Sequence, residues 1–133
     1  VSKENVEIVR RLYSQTERGN FWVPEFFDPN VRIVWLEAIE FDRDTVGIEA
    51  MARGIKAWLD PYEGVTLTAD RLVEAGDQVV AHAVWRGRGR GSGAVTEWPH
   101  GSVWALEGGR VSSVVSYTEP RDAFEAAGIP ESA

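Results

Sequence analysis

The sequence predicts an α+β domain: a curved, mostly antiparallel sheet forms a cone, and three N-terminal helices cover its concave face. Three observations predict it. Helical apolar periods fall before Pro61, strand-like runs with turn signals between them fill Val65 to Thr118, and one of those runs is apolar at both parities. In that run Val79, Ala81, Ala83 and Trp85 alternate with Val80, His82, Val84 and Arg86, as expected of a strand covered by helices on one side and by another subunit on the other. At 133 residues the chain has the usual size of one domain, so residues 1–133 are assigned to a single domain.

In the first helix Val6, Val9, Leu12, Tyr13 and Thr16 share one side, with Glu4, Glu7, Arg10, Arg11 and Glu17 on the rest. Gly19-Asn20 should stop it, and Asn20 can cap a short second helix holding Phe21, Trp22, Phe26 and Phe27 that ends at Asp28-Pro29-Asn30. Val31 to Leu36 is β-branched and aromatic, which predicts a first strand, and Glu37 to Asp44 reads as a loop. Gly47 opens a third helix with the stripe Ile48, Met51, Ile55, Trp58 and Leu59, ended by Asp60-Pro61. Four strands follow: Val65 to Ala75, Gln78 to about Arg88, Val95 to Glu107, and Val111 to Thr118. Turns at Gly76-Asp77 and Gly108-Gly109 separate two of the pairs. Asp122 to Ala127 reads as a short terminal helix with Gly128 as its stop.

Composition narrows the function. Fourteen basic against 21 acidic residues give a net charge of −7, which opposes binding to nucleic acid or anionic membrane. Without cysteine there is no disulfide, thiolate metal site or cysteine nucleophile, and the chain suits a reducing cytoplasm. No apolar run is long enough to span a bilayer, and the polar start Val1 to Asn5 carries no signal-peptide core. Six tryptophans are many for this length, and such side chains favour pockets and interfaces as well as cores.

The order of elements and several strings resemble the SnoaL-like group of the nuclear transport factor two-like superfamily, which also holds ketosteroid isomerase, scytalone dehydratase and limonene epoxide hydrolase. The strings are Glu4 to Arg11 with Tyr13 and Arg18-Gly19-Asn20 following, Phe27-Asp28-Pro29-Asn30-Val31, Val46-Gly47-Ile48-Glu49-Ala50, Ala75 to Val80, Val103 to Leu106 leading through Gly108 to Val111, and Ala123 to Gly128. The resemblance spans almost the whole chain and implies the cone fold, while chemistry has to be argued from the site. Four functional positions carry across, each altered. The general-base aspartate of ketosteroid isomerase falls on Trp35, which cannot abstract a proton. Its protonated aspartate falls on Ser102 and its helix tyrosine on Leu12, one residue before Tyr13. The acid on the final strand of polyketide cyclases falls on Ser116. The Arg-x-Asp pair of limonene epoxide hydrolase has no counterpart.

With the isomerase register, Val80, His82, Val84 and Arg86 point into the cone, and Val79, Ala81, Ala83 and Trp85 form a dimer face. The pocket so implied is lined by Leu12, Tyr13, Trp35, Ile55, Val84, Arg86, Ser102, Trp104 and Ser116, with His82 as its central polar group. A histidine can act as general base near neutral pH, as donor or as ligand; the plainer role is a core histidine satisfied by a carbonyl or serine. For His100, between Pro99 and Gly101 near the start of a strand, a bulge or rim position and a pocket-wall position stand equally open. Two histidines without convergent ligands predict no metal, and no cofactor is expected. The run Arg86 to Gly93 fits neither phosphate-loop pattern and reads as a strand end and hairpin loop. Of the carboxylates Glu37, Glu40, Asp42, Asp44 and Glu119, any one could serve as an acid if desolvated, and the sequence does not select among them.

These features give a homodimeric binder of a small apolar molecule, paired through the convex sheet face. One alternative is a cofactor-independent isomerase, cyclase or dehydratase acting on an apolar ring substrate. Another is a structural dimer whose cone is filled by side chains.

Overall fold

A computed structural model describes residues 2–35 and 44–130. Helix α1 (Ser2–Thr16) leads into a single 3-10 turn at Pro24–Phe26, strand β1 (Phe27–Trp35), the short β2 (Asp44–Val46) and α2 (Ile48–Leu59). Four strands follow, β3 (Tyr62–Ala75), β4 (Gln78–Gly89), β5 (Val95–Glu107) and β6 (Arg110–Tyr117), and α3 (Pro120–Ala126) ends the order. The strands make one curved sheet in the order β2-β1-β6-β5-β4-β3, antiparallel except where β1 runs parallel to β6. Register shifts in β3 and at Ala105/Leu106 mark bulges, which bend a sheet and increase its twist.

The helices are distributed along the chain, one at its start, one in the middle and one near its end, so the expected three-helix N-terminal cover is corrected. The predicted second helix shrinks to the 3-10 turn because its aromatics are spread along an otherwise extended segment: Phe21 is half-buried, Trp22 exposed, and Phe27 already belongs to β1. At Asp44, the last residue of the loop expected after β1, strand β2 begins, paired with Arg32 to Val34.

Helix α1 lies on the concave face. Its stripe Val9, Leu12 and Tyr13 is buried together with Val79, Ala81 and Ala83 of β4 and Trp104 and Leu106 of β5. The Thr16 hydroxyl donates to the Leu67 carbonyl at 2.7 Å, tying the end of α1 to β3. Gly19 then takes φ +86°, a left-handed conformation that costs glycine little.

Helix α3 lies on the opposite, convex face. Phe124 and Ala123, both fully buried, pack with Val80 and Val103. Gly101 makes this close seating possible. A Cβ there would stand 2.7 Å from Pro120 Cα and 2.9 Å from Ala123 Cβ, nearer than real contacts allow. The two cores therefore divide β4 by parity: odd positions 79, 81 and 83 face α1, and Val80 faces α3.

Candidate functional site: an aromatic-lined cone

That division reverses the expected register. Strand side chains alternate strictly, so with Val79, Ala81 and Ala83 inside, His82, Val84 and Arg86 belong to the convex side with Val80. None of His82, Val84 and Arg86 lines the cavity; Arg86 instead faces Glu97 across the ladder, 3.7 Å away in an exposed pair. The assignment of His82 as the pocket's polar centre is corrected for this reason. Trp85, expected on a dimer face, is buried in the cone wall.

Pairing across the sheet builds the chamber. Ala81, Ser102 and Ser116 stand side by side on β4, β5 and β6, and Ser116 is opposite Trp35 on β1. One step toward the open end, Ala83 pairs with His100, and beyond that Trp85 pairs with Trp98. The even positions Trp98, His100, Ser102 and Trp104 thus form an inward row along β5. The result is a cavity of about 590 Å³, in the usual range for small-molecule sites.

Of the residues expected to line a pocket, Leu12, Tyr13, Trp35, Ile55, Ser102, Trp104 and Ser116 do line this one. Sequence reasoning did not assign Phe21, Trp58, Tyr62, Trp85 and Trp98 to it, and left His100 open between a bulge or rim and the pocket wall, where it stands. These aromatics form a connected wall. Trp85 stacks on Trp98 at 5.3 Å between ring centroids and meets Tyr62 edge-on at 4.7 Å; Trp58 lies 5.9 Å from Trp85 and meets Phe21 edge-on at 5.4 Å. Gly87 is part of this design. A Cβ there would come within 3.3 Å of the Trp85 ring and 3.1 Å of Val65, so the glycine lets the indole lie along the strand.

The inner end is polar in an apolar surround. The Trp104 indole N–H donates to the Tyr13 hydroxyl oxygen at 3.3 Å, and the two rings meet edge to face. Burial pushes the Tyr13 phenol up to about 12, against the opposing pull of the Trp104 indole and the nearby Ser102 hydroxyl. It stays protonated and can donate. Ser102 stands close to that phenol but completes no hydrogen bond, although its hydroxyl is buried. Burial also lowers His100 to about 4, so the imidazole is neutral at ordinary pH; parts of the residue touch solvent, while Nδ1 is buried without a partner. Buried polar atoms are nearly always hydrogen-bonded, and Ser102 Oγ and His100 Nδ1 are two exceptions on one strand, each covered by neighbouring atoms.

Of the five candidate carboxylates, Glu119 lines the cavity. Asp44 lies at the sheet edge, where hydrogen bonding to the Arg32 guanidinium, 3.0 Å away, holds its carboxyl below the usual range. Glu37, Glu40 and Asp42 lie outside the described residues. Among the described residues no group of three or more histidines, cysteines or acids is placed to hold a metal, and no helix is long and apolar enough to cross a membrane.

A curved sheet wrapped by α1 and α2 around an open, aromatic chamber defines a cone-type α+β domain with its open volume inside the sheet. The chain belongs to the SnoaL-like domain family, whose model matches residues 9–114. No curated protein matches it. Among solved structures it is similar to an NTF2-like protein of unknown function from Burkholderia pseudomallei, with 18% identity over 92% of this chain and 95% of that one at a TM-score of 0.77. It is also similar to a putative SnoaL-like polyketide cyclase from Jannaschia, with 23% identity over 96% and 94% of the two chains at a TM-score of 0.72. A protein with a ketosteroid isomerase-like fold from Catenulispora acidiphila, in complex with trimethylamine, shares 22% identity over 96% of each chain at a TM-score of 0.66. These likenesses establish the shared fold.

Proposed function

We propose that this protein binds a small, mostly apolar molecule inside the cone, with the ligand's apolar faces against the tryptophan wall and one oxygen acceptor at the Tyr13 and Ser102 hydroxyls. The observation that carries this reading is the open, aromatic-lined volume of about 590 Å³, with Tyr13, His100 and Ser102 among the residues around it. That volume weighs against a cone filled by side chains. A chamber of this size suits a molecule of one or two rings.

A second reading is acid-base catalysis on such a molecule, with His100 in the role expected of His82 and the Tyr13 and Ser102 hydroxyls stabilising developing negative charge. The neutral, unpartnered imidazole favours it. Its low pKa argues the other way, because a base with a pKa near 4 has little driving force to remove a proton at neutral pH. Binding is therefore the leading reading.

We also propose a homodimer through the convex face. Val34, His82, Val84 and Val115 are half-buried there, outside the cluster that α3 covers, and a second copy would complete their burial.

The binding reading is tested by titrating tryptophan fluorescence with neutral bicyclic ligands such as 2-naphthol and 2-tetralone. One protein of this fold is found in complex with trimethylamine, so a small alkylamine belongs among the trials. Saturable quenching that Tyr13→Phe weakens about tenfold is expected, the cost of one lost hydrogen bond to a buried acceptor. Absence of quenching up to the solubility limit would overturn the reading.

A further inference from the structure

The open end of the cone differs in chemistry from its polar inner end. Trp58, Tyr62, Trp85 and Trp98 converge there from α2, β3, β4 and β5, with neighbouring ring centroids between 4.7 and 5.9 Å apart. Trp98 stacks on Trp85, yet 56% of its surface is exposed, a large apolar area that an occupant of the mouth would cover. Among the described lining residues there is no lysine or arginine, and the one carboxylate is Glu119. Glu119 follows β6 at the end where β5 begins, so it stands at the same end of the sheet as Trp98.

We infer that the mouth of the cone recognises an alkylated ammonium group, so that the ligand class is a neutral ring or chain carrying a tertiary or quaternary amine. The inference rests on the binding reading above and adds the charge at the ligand's outer end. Aromatic faces carry negative quadrupole potential and attract cations, best from tryptophan, and the exposed surface of Trp98 at the mouth is available for such a contact. Nothing cationic among the lining residues opposes this, since the remaining basic group, His100, is uncharged at ordinary pH. Alkylation matters because of desolvation. A primary ammonium would give up three strong hydrogen bonds to water and find Glu119 as the one anionic acceptor among the described lining residues, whereas a trimethylammonium has no donor to leave unsatisfied and meets the rings through its methyl groups. A neutral planar ligand would use the same rings by stacking, but it would gain nothing from the Glu119 carboxylate.

The test compares two probes of equal shape, 4-hydroxyphenyltrimethylammonium and its neutral carbon isostere 4-tert-butylphenol, by calorimetric titration and tryptophan quenching. Both offer a phenol oxygen to the inner hydroxyls. The cation should bind at least about tenfold more tightly, the difference that a few ring contacts provide. Trp98→Leu, which keeps apolar area but removes one exposed ring, should shrink that ratio. Glu119→Gln should weaken the cation severalfold more than the phenol, and the effect should fade as salt is raised. Equal affinity for the two probes would overturn the cation inference and leave the apolar chamber intact. Failure of both to bind at millimolar concentration would overturn the chamber reading and the inference with it.

Discussion

His100 should make the folded chain less stable in acid, in a way that can be separated from the carboxylates. Burial lowers its pKa from 6.5 to about 4 in the folded chain, and its Nδ1 has no partner that would stabilise the charged ring. In the unfolded chain the ring returns to about 6.5. Above about pH 6.5 the imidazole is neutral in both states, so His100 exerts no pH effect and the full stability is present. As the pH falls, the unfolded chain takes up its proton first, and stability drops by about 1.4 kcal/mol per pH unit until the folded pKa near 4 is reached. The loss is about 1.4 kcal/mol at pH 5.5 and at most about 3 kcal/mol once the ring is charged in both states. His100→Gln keeps a polar side chain that cannot titrate. Urea unfolding of the parent and the variant at a series of pH values from about 7.5 to about 4.5 gives the difference directly, with carboxylates common to both chains cancelling. The parent should lose between about 2 and 3 kcal/mol relative to the variant across that range. A gap that does not change with pH would refute the reasoning, because it would place the ring in water or beside a partner in the folded state.

Gly101→Val should detach α3, since the added carbons would enter space held by Pro120 and Ala123. The cost should be about 1–3 kcal/mol, with faster hydrogen exchange over Pro120–Ala126; unchanged stability would show that α3 seats elsewhere. Val84→Glu should leave a monomer in sedimentation where the parent sediments as a dimer, because it sets a carboxylate on the half-buried convex face. A parent chain that is monomeric at micromolar concentration would end the dimer proposal.

The order of strands, both hairpin turns and the amphipathic face of α1 were legible because each is a local signal. Val9, Leu12 and Tyr13 recur at helical spacing and are buried, and Gly76-Asp77 and Gly108-Gly109 mark tight turns. The second helix was misread because aromatic residues near Pro24 can be buried from an extended chain as readily as from a helix. β2 escaped because three residues at a sheet edge carry no period of their own; their pairing with Arg32 to Val34 supplies what identifies them. The site was legible where it rests on the inward row of β5. Once Ser102 and Trp104 face the cone, period two places His100 and Trp98 there as well.

What the chain order could not settle by itself was the parity of β4, because both of its faces are apolar near residue 80. Val79 is buried under α1, and Val80 is buried under Phe124. The hairpin at Gly76-Asp77 fixes which residues pair, Ala75 with Gln78 and Glu74 with Val79, but not which side of the sheet the first helix covers. The deciding signals lie farther along the strand and across it. Arg86 and Arg88 share the parity of His82, and Arg86 meets Glu97 on the neighbouring strand in an exposed pair, which only an outward face tolerates at little cost. The other parity continues as Trp85 and Gly87, where the glycine yields its Cβ space to the indole, a pattern of close packing. Opposite His82 stands Gly101, the residue that α3 needs bare. Charges on one parity, with an indole and a glycine on the other, assign His82 to the convex side and move the chamber's imidazole to His100.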